Sequence, residues 1–322
     1  MQDKRAIFIG GCGRSGTTML GSALGAARNA IVTPESQFKL SVLNKLRHST
    51  EPVQSKELYS GISQIERFRV LWEMRLSERI EREAGEADHT FARRFLFDVV
   101  DQYAARHDRN EWDVWVDHSP NNIRHAISLV EAFPDARILH IIRDGRSAAA
   151  SVLALDWGPA DPVQAAQWWM EAIAHGLAAE RRYPDKVMSV KYESLTEDPE
   201  AELRRICEFA GLTFTAEMLY ADSFKKPFYN QKQHSRVGTK ISADKNESWR
   251  NTLSKKDLAL FESRCGELLE LLGYKAATTE ADRRFSRLDL IRLRINSTIE
   301  KSRKRRRQRE RVRKALARQA QS

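Results

Sequence analysis

Residues 6–24 constrain the fold of this chain more than any other stretch. Ala6-Ile7-Phe8-Ile9 is a short apolar run of the kind that forms a buried strand. Gly10, Gly11, Gly13 and Gly16 follow, interrupted by Cys12, Arg14 and Ser15. From Thr17-Thr18 onward, Met19, Leu20, Ala23, Leu24 and Ala27 recur at helical spacing, which predicts a helix with one apolar face. Strand, glycine loop and helix in this order aim free backbone N–H groups at an anion. Glycine lets the backbone come close to a phosphate with no Cβ in the way. Thr17 and Thr18 add hydroxyl groups at the helix start.

From Gly11 to Gly16 the spacing matches the glycines of a Walker A loop, but Thr17 stands where the lysine belongs. That lysine reaches the β and γ phosphates of a nucleoside triphosphate. Its absence argues against an ATPase or ordinary kinase and for a shorter phosphate cradle, with Arg14 as the cation. A glycine-rich turn that holds no ligand is the plainer reading of the same residues.

Further strand signals occur at Ala30–Thr33, Trp112–Val116, Arg137–Ile142 and Val187–Lys191. Helical patterns separate them, and the charged stretch of residues 39–110 reads as a helical insertion. Phe68, Leu71, Trp72 and Leu76, then Phe91, Phe95 and Val99, are spaced for packing. Trp168 and Trp169 are expected to pack as well. Strands that alternate with helices predict an α/β fold in three layers, αβα, with a mainly parallel central sheet.

Ile141-Ile142-Arg143-Asp144-Gly145-Arg146-Ser147 places an arginine at the C-terminal end of a buried strand. Ligands bind beyond that end in open α/β sheets, and a guanidinium fork suits phosphate. Ser147 is a candidate helix cap, with Ser151 one turn further on. A surface ion pair between Arg143 and Asp144 fits the same residues. Tyr192, at the end of a strand in Val190-Lys191-Tyr192-Glu193-Ser194-Leu195, is placed to stack on a base or to pack under the next helix. Glu35 follows a short strand and Pro34. As an isolated residue it is an ordinary helix-start glutamate.

Gly13-Arg14-Ser15-Gly16-Thr17-Thr18 after an N-terminal strand resembles the 5′-phosphosulfate loop of sulfotransferases that use 3′-phosphoadenosine 5′-phosphosulfate (PAPS). The likeness is strongest to the branch containing tyrosylprotein and carbohydrate sulfotransferases, and it runs in motif order over roughly residues 5–275. It implies a P-loop-like fold in which residues 13–18 cradle the 5′-phosphosulfate. It further implies that Arg143 and Ser151 hold the 3′-phosphate, that Tyr192 contacts the adenine and that Glu35 deprotonates the acceptor. A late loop folds over the nucleotide in the family; here Ser235, Arg236, Lys240, Ser248, Trp249 and Arg250 are the candidates. In the place of a family lysine that stabilises the transferring group, this chain has His118, within Asp117-His118-Ser119-Pro120. Protonated, His118 would share charge stabilisation with Arg14; neutral, it would share base duty with Glu35. PAPS is then the co-substrate, and no metal is required.

The net charge of +10 sits at one end. Residues 301–322 hold eleven Lys and Arg and one acid, Glu310, so the remaining body is formally neutral. A sulfotransferase domain over 1–278 and a basic helical or disordered extension over 279–322 are expected. The extension carries a thin apolar stripe of Val312, Ala315, Leu316 and Ala317, too little to dock firmly on the body. It reads as a solvated segment or as a means of recruitment to an anionic surface: membrane lipid, nucleic acid or a sulfated glycan. No stable protein partner is inferred. Three widely spaced cysteines, Cys12, Cys207 and Cys265, and no room for a signal peptide before the first strand point to the cytoplasm, with a peripheral membrane location open. Two rivals are a P-loop nucleotide or sugar kinase, and a non-enzymatic binder of anionic polymers that acts through the basic tail. The acceptor class is open: a glycan, a peptide tyrosine, a lipid or a small molecule.

Overall fold

A computed structural model describes residues 4–224, 238–243 and 246–319. Five strands form one parallel sheet: β1 (Arg5–Gly11), β2 (Ala30–Thr33), β3 (Val114–Asp117), β4 (Arg137–Ile142) and β5 (Val187–Lys191). Their order is β2-β3-β1-β4-β5. The first strand is therefore the central one, paired with β3 on one side (Ile7 opposite Val116) and with β4 on the other (Ile9 opposite Leu139). The order reverses between β1 and β4, and such a switch opens a crevice beyond the strands' C-terminal ends.

Helices cover both faces, as the nearly continuous apolar strands require. In chain order they are α1 (Thr17–Leu24), α2 (Phe38–His48), α3 (Ser55–Gln64), α4 (Glu66–Trp72), α5 (Asp88–Arg106), α6 (Ala126–Ala132) and α7 (Gly145–Val152). Then come α8 (Pro162–Arg182), α9 (Tyr192–Glu197), α10 (Pro199–Ala210), α11 (Lys255–Leu271) and α12 (Arg287–Gln319). One core layer gathers α2 to α6, α8 and α11 around an aromatic cluster in which Phe8, Phe97, Trp115 and Phe133 meet edge to face. The opposite layer packs α1, α9 and α10 on Ile7, Ile9, Leu139 and Val190.

Three expectations change. The insertion over 39–110 is not helical throughout: residues 73–87 run without a helix, held by side chains instead. Arg94 pairs with Glu86, and Arg82 donates to the Glu86 carbonyl and to Asp88. Second, α7 begins at Gly145, so Ser147 is not its cap. Asp144 caps it by accepting from the Arg146 N–H, while Ser147 Oγ donates to the Asn246 carbonyl.

Third, the basic extension docks. Over α12 the residues turned to the body are Ser297, Lys304 and Ala315, all buried. Ser297 Oγ donates to Asp161 at 2.6 Å, and Arg311 pairs with Asp156 at 3.0 Å. Lys304 Nζ donates to the carbonyls of Leu153 (2.6 Å) and Pro159 (2.7 Å). An apolar stripe is the usual sign of a docking face; here polar side chains do the docking, which is why the sequence pattern misses it.

Candidate active site

The crevice at the switch point is a cavity of about 890 Å³. Its floor is the β1–α1 loop. Gly13, Arg14, Gly16, Thr17 and Thr18 line it, and Ser15 does not: its side chain is fully buried behind the loop. Gly16 adopts φ +101° immediately before α1, a conformation L side chains rarely take. A Cβ there would also stand 2.6 Å from the Tyr192 ring. The glycine thus serves both the turn and the close packing of loop on tyrosine.

Two arginines converge over this loop. Arg14 Nε donates to Ser151 Oγ at 3.0 Å, which links the loop to α7. Arg143, leaving the end of β4, donates to the Arg14 carbonyl at 2.9 Å and lies 4.2 Å above the Tyr192 ring centroid. Its own carbonyl accepts from Trp169 Nε1. Burial and then the neighbouring Arg143 lower the Arg14 pKa below the ordinary guanidinium value. Two crowded, partly desolvated cations stabilise an anion placed between them. The Arg143–Asp144 ion pair considered from sequence does not form; Asp144 pairs with Arg146 at 2.8 Å.

Glu35 reaches the same cavity from the end of β2. A buried polar cluster fixes its backbone. The next residue, Ser36, donates its N–H to Ser119 Oγ and its hydroxyl to Asp117. Asp117 also holds the fully buried Lys39 at 2.5 Å. Burial favours the neutral form of that carboxyl, yet Lys39 and the hydroxyls of Ser119 and Ser36 hold the Asp117 pKa below its usual value. Helix α4 grips Glu35 from outside: Arg67 pairs with its carboxylate at 2.6 Å, and Trp72 Nε1 donates to its carbonyl.

His118 is a neighbour that stays out. Its ring is 2% exposed, packs on Phe224 and against Gly21 of α1, and is not among the cavity-lining residues. Burial lowers its pKa, so the ring is neutral. The charge-stabilising or base role considered for it has no access to the cavity.

Of the late-loop candidates, Ser248 lines the cavity. Trp249 is buried beneath Arg146, 4.2 Å from ring centroid to guanidinium, and Arg250 pairs with Glu247. Lys240 does not line the cavity. Ser235 and Arg236 lie outside the described residues.

The wall facing the loop comes from residues no motif marks: Arg67, Asn121, Trp157, Trp168 and Gln308. Trp157 and Trp168 meet edge to face at 6.2 Å. A Cβ on Gly13 would fall 2.5 Å from the Trp168 ring, so Trp168 lies directly on the β1–α1 loop. The packing expected of the tryptophan pair holds for both: Trp169 is buried in the core, and Trp168, partly buried, packs against that core while also lining the cavity. The turn residues Gly158 and Pro159 beside Trp157 were the one sequence signal for this wall. Among the described residues, no group of His, Cys, Asp and Glu is arranged to hold a metal.

Comparison with known proteins gives a consistent picture. The profile described as "Sulfotransferase family" matches residues 6–216. Protein-tyrosine sulfotransferase A of Caenorhabditis elegans is 24% identical over 281 residues, covering 83% of this chain and 67% of that protein. Carbohydrate sulfotransferase 5 of Mus musculus is 27% identical over 186 residues, 48% of this chain and 46% of that protein, so the chain spans less than half of the mouse protein's length. Among solved structures, the sulfotransferase domain of the Synechococcus PCC 7002 olefin synthase superposes with a TM-score of 0.56 at 21% identity, over 84% of this chain and 95% of that domain. That likeness bears on the fold, which is P-loop-like.

Proposed function

Because the chain belongs to the sulfotransferase family, we propose that it moves a sulfuryl group from PAPS to an acceptor hydroxyl, with Glu35 as general base. The observation that supports this most is that Arg14, Arg143 and Glu35 line one cavity although they leave three different strands. Two cations suit a donor with phosphates at both ends, and a carboxylate opposite them suits a proton acceptor.

The acceptor oxygen attacks sulfur in line as the bond from sulfur to the 5′-phosphate oxygen breaks. The acceptor's proton passes to Glu35, and the bisphosphate leaves with the bonding electron pair. Positioning and charge stabilisation carry such a transfer, by analogy with phosphoryl transfer. The N–H groups of residues 13–18 and the hydroxyls of Thr17 and Thr18 cradle the 5′ end, and Arg14 offsets charge on the leaving oxygen. Arg143 and Ser151 hold the 3′-phosphate, with Tyr192 toward the base. Arg67 orients the Glu35 carboxylate. The acceptors named for the relatives, a protein tyrosine and a carbohydrate, both offer a hydroxyl, and the Trp157–Trp168 wall presents a flat apolar face to either. The kinase alternative is not favoured, since Thr17 occupies the lysine position of a nucleoside triphosphate loop.

Adenosine 3′,5′-bisphosphate should raise the melting temperature more than Mg-ATP does, since a ligand of the native state stabilises it by mass action. Transfer of labelled sulfate from PAPS to a panel of hydroxyl acceptors then identifies the substrate. An equal or larger shift with Mg-ATP overturns the reading.

A further inference from the structure

The docked helix α12 has a second face. Leu288, Ile291, Ile295 and Ile299 recur at spacings of three and four, which places them on one stripe. They are 67%, 52%, 56% and 46% exposed. With Leu290, they make up five of the nine large apolar side chains exposed among the described residues. Singly exposed apolar residues are ordinary; a contiguous set marks an interaction surface. The body does not cover this stripe because α12 is seated by its opposite side, through Ser297, Lys304 and Ala315.

Followed along the helix, the stripe turns basic. The same three-and-four spacing continues through Ser302 to Arg306, Arg309 and Arg313, all exposed. One side of one straight helix thus presents aliphatic groups for its first turns and guanidinium groups for the rest. We propose that this face seats the protein on an anionic lipid bilayer, with Leu288, Ile291, Ile295 and Ile299 sunk among the acyl chains and Arg306, Arg309 and Arg313 against lipid phosphates.

The alternatives fit less well. A second copy packed in parallel would bring its own arginines against this row of arginines, and an antiparallel copy would leave the arginines without anionic partners. A nucleic acid would match the arginines and leave four aliphatic side chains in water. An interfacial helix needs both features, apolar burial and attraction to anionic headgroups. No helix among the described residues is long and apolar enough to cross a membrane, so the association is with the surface. The same helix contributes Gln308 to the cavity wall, so a seated α12 holds the cavity about one helix diameter, ~10 Å, from the lipid.

The test is flotation of the full chain with phosphatidylcholine vesicles, with and without phosphatidylserine, at low and high salt. Two variants accompany it: Ile291→Ser with Ile295→Ser, and Arg306→Gln with Arg309→Gln and Arg313→Gln. These positions are exposed, so both variants should melt as the parent does and bind adenosine 3′,5′-bisphosphate equally. The parent should float with anionic vesicles alone. Each variant should lose binding by roughly tenfold or more, and salt should dislodge the serine variant more readily than the parent. Three results overturn the proposal: no flotation of the parent, a serine variant that floats as the parent does, or a parent that light scattering finds dimeric and the serine variant monomeric. Equal retention of parent and serine variant on duplex DNA, without flotation, assigns the face to nucleic acid instead.

Discussion

The floor of the cavity and the wall that faces it are made in different ways. The floor consists of one short loop, whose Gly13, Arg14, Gly16, Thr17 and Thr18 face the cavity, joined by Arg143 and Tyr192, which leave the ends of strands adjacent to or one removed from β1. Backbone ladders fix where those ends lie. The facing wall draws Arg67 from α4, Trp157 from the segment before α8 and Gln308 from α12. Side-chain contacts between distant segments hold it: Arg67 on Glu35, Lys304 on two carbonyls, Arg311 on Asp156. Ladders form cooperatively with the sheet, whereas ion pairs at partly exposed positions, such as Arg67–Glu35 and Arg311–Asp156, contribute little each. A rigid floor and a more yielding wall follow from that difference.

Glu35 sits where floor and wall meet, and its loss has the largest expected effect. Glu35→Gln keeps the shape and removes the proposed base, so turnover should fall by ~10²-fold or more while bisphosphate affinity is unchanged. A drop in affinity of similar size would mean that Glu35 belongs to the floor.

Next in size is an acid sensitivity of the sheet itself. His140 of β4 is buried against α8, where Gly176 leaves room for its ring. Burial lowers its pKa from 6.5 to about 4. The unfolded chain therefore takes a proton that the folded one refuses: this stability is complete above pH ~6.5 and is lost as pH falls from there toward 4, by about 3 kcal/mol in all. Buried His118 contributes with the same sign. Urea denaturation as a function of pH measures the slope, and His140→Gln should flatten it. An unchanged slope in that variant would place the acid sensitivity outside the sheet.

Arg143→Ala probes the floor alone. Loss of a charge-assisted contact of ~1.5–3 kcal/mol should weaken adenosine 3′,5′-bisphosphate binding roughly ten- to a hundredfold, with adenosine 5′-phosphate much less affected. Calorimetry with both ligands checks it; equal losses would remove the 3′-phosphate assignment.

The smallest effect is expected on the wall. Lys304→Met leaves the carbonyls of Leu153 and Pro159 without their donor. Amide exchange over residues 153–161 should quicken, by about tenfold at most, with bisphosphate binding intact. If bisphosphate binding also weakens, the wall and the floor are coupled and the contrast between them fails.

The same contrast explains what could be read in advance. Strands are apolar runs bounded by turns, and Ala30–Thr33, Arg137–Ile142 and Val187–Lys191 lie where their residues place them. Strand β3 starts at Val114 instead of Trp112, since Trp112 is spent on packing against Phe97 and under Lys4. Arg14, Arg143, Ser151, Tyr192 and Glu35 come together at the cavity because each follows a strand end or sits within two turns of the start of the following helix. Lys39 and Lys304 were illegible for one shared reason. A lysine in a charged helix looks solvated until the partners that bury it, Asp117 and two carbonyls, are brought in from about eighty and about a hundred and fifty residues away. His118 shows the opposite error, a polar residue in a motif position whose ring faces the core.

The placement of β1 at the centre of the sheet bears on how the protein is made. The strand translated first needs β3 and β4 on its two edges, and β4 ends at Ile142. At ~5–20 residues per second, the ribosome takes roughly ten seconds to supply it. Until β3 and then β4 are supplied, Ala6-Ile7-Phe8-Ile9 is an apolar segment without its edge partners, the state most apt to pair with a neighbouring chain. Expression at lower temperature or with added holdase is therefore expected to raise the soluble yield.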